Sequence, residues 1–243
     1  MDTLTQRQIE ILTAIIREYT ESGLAVGSEI IEKKYKLGVS PATIRNEMVE
    51  LAKKAYLKKS HFSSGRVPSA KGFRFYIQHV MKEHELSTID IVTYKNSVWD
   101  DRKQSDKLFH QAARVLASRT GLLSIVATDS GYLFYAGVAN LLKKDEFLNL
   151  AMSQSLFSLL DESNFWDAIL KQFYKVNEEI MYMLGEDDFQ NPLFEPCASV
   201  FGEFEGQNMK GMIGVIGPKR MSYDVIIPQV RYFSNLIEDI IKE

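Results

Sequence analysis

Apolar positions recur along this chain at two periods, and the change from one to the other divides it. Ile9, Leu12, Ile16 and Tyr19 return every three or four residues with Ile11 and Ile15 beside them, which predicts a helix over about 5–19, ended by Glu21-Ser22-Gly23. A short helix should follow Gly27, with Ser28 as N-cap and Ile30, Ile31 and Tyr35 for the core, until Leu37-Gly38 breaks it. A third begins inside VSPATIRNEMVEL, residues 39–51. The Ser40 hydroxyl can accept from a free backbone N–H of the first turn, and Pro41 suits the first helical position, where its missing donor costs nothing.

On that third helix Ile44, Met48, Leu51 and Ala55 share a face, whereas Ala42, Asn46 and Lys53 lie opposite, with Thr43 and Arg45 on the flanks. One stripe packs and the other meets something outside. Short runs at 56–59 and 62–67, closed by Ser63-Ser64-Gly65, predict a two-stranded ribbon. Three helices followed by a ribbon predict a winged helix-turn-helix over 1–83, with a fourth helix at 70–83 that turns Phe73, Tyr76, Ile77 and Val80 inward.

Periodicity weakens over 84–104, read as a linker that carries a helical or extended piece. From 105 to 243 the pattern alternates: a helix through Leu116, strands at 122–127 and 132–138, a helical stretch at 165–184, strands at 198–204 and 210–216, and a last helix after Met221. That order predicts an α+β domain built on an antiparallel sheet. Pro228 should kink or delay the last helix. LFSLL, 156–160, reads as helix core or a dimer face, and GVIGPKR, 214–220, as a strand leaving through a tight turn, since it lacks the G-K-[ST] ending of a phosphate loop.

Charge sharpens the division. The window 33–82 holds 12 of the chain's 29 Lys and Arg but only Glu47 and Glu50 of its 32 acidic residues, so a net charge of -3 conceals a basic segment and an acidic remainder. Such asymmetry suits a segment that meets a polyanion, the alternative being a solvated charged surface. Short side chains at a helix start, followed by groups that reach base edges and phosphates, are what entry into a DNA major groove requires. Ser40, Ala42, Thr43, Arg45 and Asn46 meet that description; an ordinary capped surface helix is the other reading. His61, Ser64, Gly65 and Arg66 would form an exposed wing, or a plain hairpin, and Lys53 and Lys58 add to a continuous basic surface for phosphate.

Catalytic and metal chemistry find little support. His79 and His84 are five apart, which is not the spacing of a helical zinc pair, and no G-x-S-x-G elbow occurs. Glu178-Glu179 and Asp187-Asp188 read as solvated surface. The lone Cys197 reads as a buried small hydrophobe, so no disulfide and no cysteine metal cluster is expected, and no enzyme activity or cofactor either. A charged start and the lack of any run near 20 apolar residues give a cytoplasmic, non-membrane expectation.

LTQRQIEILTAIIREYTESGLAVGS, VSPATIRNEMVEL, HFSSGRVPSAKGFRFYI and GVIGPKRMSYDVIIPQV, in that order, resemble the hallmark segments of the HrcA family of heat-inducible transcription repressors. The resemblance covers 4–80 nearly continuously and 211–237 well. It implies a GAF-like carboxy-terminal domain, a homodimer on an inverted-repeat operator in double-stranded DNA upstream of chaperone operons, and activity maintained by the GroE chaperonin and lost on heat stress. Carried over by position, Ser40, Thr43, Arg45 and Asn46 resemble the recognition-helix residues, and Ser64, Gly65 and Arg66 the wing. The chain departs from the family by its extra lysines in LAKKAYLKKS and by a shortened inserted dimerisation region, about 142–196. Two other readings remain: a regulator whose GAF-like domain senses a small molecule, with Tyr132, Phe134 and Tyr135 lining a pocket rather than filling core, and a winged-helix protein that associates with RNA.

Overall fold

The computed structural model describes residues 4–59, 65–176, 178–207 and 209–242. The chain is an α+β protein of two compact units, one holding Met1–Lys82 with Arg220–Ser222 and the other Glu83–Lys219 with Tyr223–Glu243.

In the first unit, α1 (Gln6–Ser22) starts in a capping box: Thr5 accepts from the Gln8 N–H while the Gln8 side chain accepts from the Thr5 N–H. Its apolar stripe buries Ile11, Leu12, Ile15 and Ile16. Helix α2 (Ser28–Tyr35) begins one residue earlier than expected. Gly27 is its N-cap and Ser28, the expected cap, is the first helical residue and buried. Only Ile31 of the expected trio reaches full burial, for Ile30 is 44% exposed. Helix α3 (Pro41–Lys53) buries Ile44, Met48 and Leu51, but Ala55 lies past its end in a left-handed turn, exposed.

Strands β1 (Leu57–Lys59) and β2 (Arg66–Pro68) pair antiparallel, Lys58 opposite Val67. Helix α4 (Ala70–His79) ends sooner than its apolar pattern suggests. Phe73 is its fully buried anchor, while Tyr76, Ile77 and Val80 are half-buried. Ser69 caps it and ties it back: its Oγ accepts from the Gly72 N–H (3.0 Å) and donates to the Ala55 carbonyl (2.6 Å).

In the second unit, the stretch read as a linker carries helix α5 (Thr88–Trp99), and α6 (Ser105–Thr120) follows. Then come β3 (Leu123–Thr128), β4 (Leu133–Ala136), α7 (Val138–Leu141), α8 (Leu150–Leu160), α9 (Ser163–Val176), β5 (Ile180–Leu184), α10 (Glu186–Phe189), β6 (Cys197–Glu205), β7 (Lys210–Pro218) and α11 (Tyr223–Lys242). Five strands form one antiparallel sheet in the order β4-β3-β7-β6-β5. The stretch 165–184, read as one helix, is therefore a helix and then an edge strand.

One sheet face, with Ile125, Met183, Phe201 and Met212, packs on Met152 and Leu156 of α8 and on Trp166, Leu170 and Phe173 of α9. The other carries α6 and α11: Phe109 stacks on Phe204 at 5.5 Å, and Tyr94 of α5 on Phe233 at 5.1 Å. Gly202 admits α11 at close range, since a Cβ there would stand 2.7 Å from Ser234 Oγ. Pro228 neither delays α11 nor leaves a carbonyl stranded. The Asp224 oxygen, four residues earlier and without its usual helical donor, accepts from the His84 N–H at 2.8 Å.

Candidate nucleic-acid interface

The third helix is set by its start and by a polar bracket on its flank. Ser40 Oγ accepts from the Thr43 N–H at 3.2 Å and lies 3.0 Å from Thr43 Oγ1, with Pro41 leading the first turn. Burying Ile44, Met48 and Leu51 contributes on the order of 2 kcal/mol per side chain and fixes which face turns in. From α1, the buried Gln8 amide donates to Glu47 at 3.0 Å and its oxygen accepts from Lys54 at 3.1 Å, while Arg7 stands 3.6 Å from Glu47. Rotation of α3 about its axis would break these contacts together.

What remains outside is Ala42, Arg45, Asn46, Val49, Glu50 and Lys53, all exposed, with Thr43 half-exposed at the side. The helix start thus presents a methyl, a guanidinium and an amide with no bulky residue ahead of them. Beside it runs a groove of about 570 Å³ whose walls include Gly27, Ser28 and Ile30 of the α2 start, Arg45, Met48 and Val49 of α3, and Arg66. The structure therefore brings Arg45 and Arg66, 21 residues apart in sequence, to one groove.

The ribbon is anchored by a pairing that the sequence pattern did not reveal. Val26 and Arg66 exchange backbone hydrogen bonds, Val26 N–H to Arg66 O at 2.8 Å and Arg66 N–H to Val26 O at 3.0 Å, so a single extended residue between α1 and α2 acts as a third strand. One residue is too short to give a period of two, and only its apolar type signals it. Gly65, expected on an exposed turn, is buried instead: a Cβ there would stand 2.9 Å from the Ala25 carbonyl carbon. It belongs to the foot of the ribbon. Arg66 is half-buried, and His61 and Ser64 lie outside the described residues.

The basic run is partly spent on the fold. Lys34 donates to Glu18 and Glu21, both at 2.7 Å, and these carboxylates hold its ammonium above the usual lysine range. Lys71 lies over the Tyr56 ring at 4.5 Å and donates to the Lys54 carbonyl. Lys53 pairs with Glu50 at 2.8 Å, but both are exposed, and such a pair is worth about 0–1 kcal/mol, so phosphate can displace it. Lys58 is exposed on β1. Of the residues expected to form a basic surface, Lys53 and Lys58 are exposed and Arg66 is half-buried.

The second unit offers less. Tyr132 and Tyr135 are 55% and 45% exposed, so neither fills core, and half-buried Phe134 packs on Phe109 at 5.8 Å. Of the three, Tyr132 lines a cavity of about 170 Å³, together with Leu160, Asp161, Trp166 and Asp167. Glu178 and Glu179 are exposed, and Asp188 accepts from the Leu184 N–H at 2.7 Å, a structural role. Cys197 is buried, its thiol donating to Met152 Sδ, and burial pushes its pKa up to about 12. Among the described residues no three His, Cys, Asp or Glu are grouped to hold a metal ion, and no helix is long and apolar enough to cross a membrane.

Comparison with known proteins gives three findings. Residues 70–227 match the family described as "HrcA protein C terminal domain". A heat-inducible transcription repressor HrcA of Clostridium botulinum (strain Eklund 17B / Type B) is 25% identical over 344 aligned positions, covering 99% of this chain and 97% of the relative. One of Clostridium perfringens (strain SM101 / Type A) is 38% identical over 144 positions, 59% of this chain and 42% of the relative. The 344 positions exceed this chain's 243 residues by 101, so at least that many face no residue of it. A crystal structure of a hypothetical protein at 2.2 Å resolution shares the fold, with a TM-score of 0.78, 18% identity and 99% of each chain covered.

Proposed function

Because the chain belongs to the HrcA family, we propose that it is a heat-responsive transcription repressor that binds double-stranded DNA through the outward face of α3. The observation that carries this reading is the division of that helix. Its inward stripe is held by the core and by the Gln8–Glu47 contact, while Ala42, Arg45 and Asn46 stand clear at the capped end. Arg pairs with guanine and Asn with adenine through two hydrogen bonds each, and a good pair gives about 1–3 kcal/mol of discrimination. Ser40, Thr43 and the helix start suit phosphate, as do Lys53 and Lys58.

In this reading residues 1–83 form a winged helix-turn-helix, with α2 and α3 as the two helices and β1–β2 as a wing that carries Arg66. Residues 84–104, which include α5, connect it to a GAF-like domain over 105–243 with a shortened dimerisation region at about 142–196. Two chains related by a two-fold axis would place their α3 helices in successive major grooves of an inverted repeat, roughly 34–36 Å apart, and exclude polymerase by occupancy. The family resemblance supports dependence on the GroE chaperonin, so that heat, by occupying the chaperonin, withdraws repression. No catalytic step or cofactor enters, and the protein acts in the cytoplasm.

The test is selection of duplexes from a random library by the full chain, followed by competition among the selected duplex, a scrambled duplex and RNA of the same sequence at fixed salt. A preferred inverted repeat that outcompetes both supports the reading. Equal competition by RNA or scrambled duplex contradicts it. The 170 Å³ cavity beside Tyr132 favours a second reading, a ligand-sensing regulator. A thermal-shift screen of nucleotides and metabolites tests it, because a ligand of the folded state must raise the melting temperature.

A further inference from the structure

We infer that Val49 reads thymine methyl groups, a base-discriminating contact about one helical turn beyond those of Arg45 and Asn46; the inference rests on the DNA-binding reading above and deepens it. Ala42, Arg45, Asn46, Val49 and Lys53 recur at the three- and four-residue spacing that stacks side chains along one side of a helix. Val49 falls on the same outward line as the others, opposite the stripe of Ile44, Met48 and Leu51 that the core consumes. It is 38% exposed and lines the groove that Arg45 and Arg66 share.

Valine is a poorer helix former than alanine, glutamate or lysine, and although most of its surface is covered, 38% of it stays exposed at the groove. A single exposed aliphatic residue is ordinary on a protein surface. This one, however, stands on the line whose other members carry the proposed base and phosphate contacts. Across the major-groove edges of the four base pairs, the distinctive apolar feature is the thymine C5 methyl, and small apolar side chains are what meet it. A guanidinium, an amide and a branched aliphatic group on one stripe would therefore discriminate guanine, adenine and thymine from one helix.

The experiment uses the full chain and the selected duplex, with each thymine replaced in turn by deoxyuridine, which removes the methyl group and leaves the hydrogen-bonding edge intact. Wild type should lose about fourfold in affinity at one or two thymines of each half-site, the change expected when one buried methyl is deleted. Val49→Ala should bind more weakly and no longer distinguish thymine from deoxyuridine at those positions. Val49→Thr, which keeps the branched shape and one methyl, should retain part of the distinction; circular dichroism melts establish that both variants fold. If wild type shows no deoxyuridine penalty, or Val49→Ala keeps the full pattern, the assignment of Val49 is overturned while DNA binding stands. If selection enriches no duplex, the DNA-binding reading itself falls.

Discussion

Ser40 and Ser69 occupy the same position in their helices, yet the structure asks different things of them. Ser40 caps α3 at the surface, where its loss leaves water to satisfy the Thr43 N–H, so Ser40→Ala should cost about 1 kcal/mol. Ser69 is buried and serves two partners, the Gly72 N–H and the Ala55 carbonyl. Ser69→Ala removes a cap and a donor inside the fold and should cost about 2–3 kcal/mol in urea melts. Cys197 gives a prediction in pH. Its folded pKa is raised to about 12 from an ordinary 9.0, so between these values the unfolded chain releases a proton that the folded chain retains. Stability from this group is intact below pH 9 and falls as pH rises, by up to about 1.4 kcal/mol per unit. The difference between wild type and Cys197→Ala should show that slope, and a slope of opposite sign would refute the burial argument. In native protein the thiol should also resist iodoacetamide at pH 8 and react once urea unfolds the chain.

Among the elements, what could be read from the sequence depended on how many residues carried each signal. The start of α3 was legible at Ser40-Pro41, because capping chemistry is local, and so was the direction of its apolar stripe at Ile44, Met48 and Leu51. Strand β5 was not: Ile180–Leu184 is buried on both faces, which erases the alternation that marks a strand, and it follows a helical pattern with no glycine or proline between. The continuity of α11 through Pro228 was hidden for another reason, since the donor that replaces the lost hydrogen bond is His84, 140 residues away. The foot of the ribbon was hidden likewise. Gly65 reads as a turn residue, and its actual constraint is the Ala25 backbone beside it. Gly65→Ala should therefore force Val26 and Arg66 apart and lower stability by about 1–3 kcal/mol, seen as a reduced melting temperature. An unchanged melting temperature would mean the ribbon foot yields at no cost. The candidate site divides in the same way: the α3 residues followed from local pattern, whereas the groove that joins Arg45 to Arg66 and Val49 arises only from tertiary contact.

At the scale of the whole molecule, the charge asymmetry and the two units make one expectation about how affinity and specificity separate. In the proposed reading, phosphate contacts by Lys53, Lys58 and Arg66 would act on any duplex and weaken with salt as counterions are released, whereas contacts to base edges would set the ratio between operator and other DNA. Lys58→Ala should thus weaken all duplexes nearly equally and reduce the salt slope by about one, with the ratio held. Arg45→Ala and Asn46→Ala should leave non-specific binding in place and lower the ratio at the bases they contact. The most direct test of the central claim is the affinity ratio of the full chain for the selected inverted repeat over a scrambled duplex, measured across a salt series in wild type and Arg45→Ala. A ratio of about 10³ or more in wild type, falling roughly 5- to 150-fold in Arg45→Ala, is the predicted result. A ratio unchanged by Arg45→Ala at every salt concentration would contradict it and remove α3 as the reading helix.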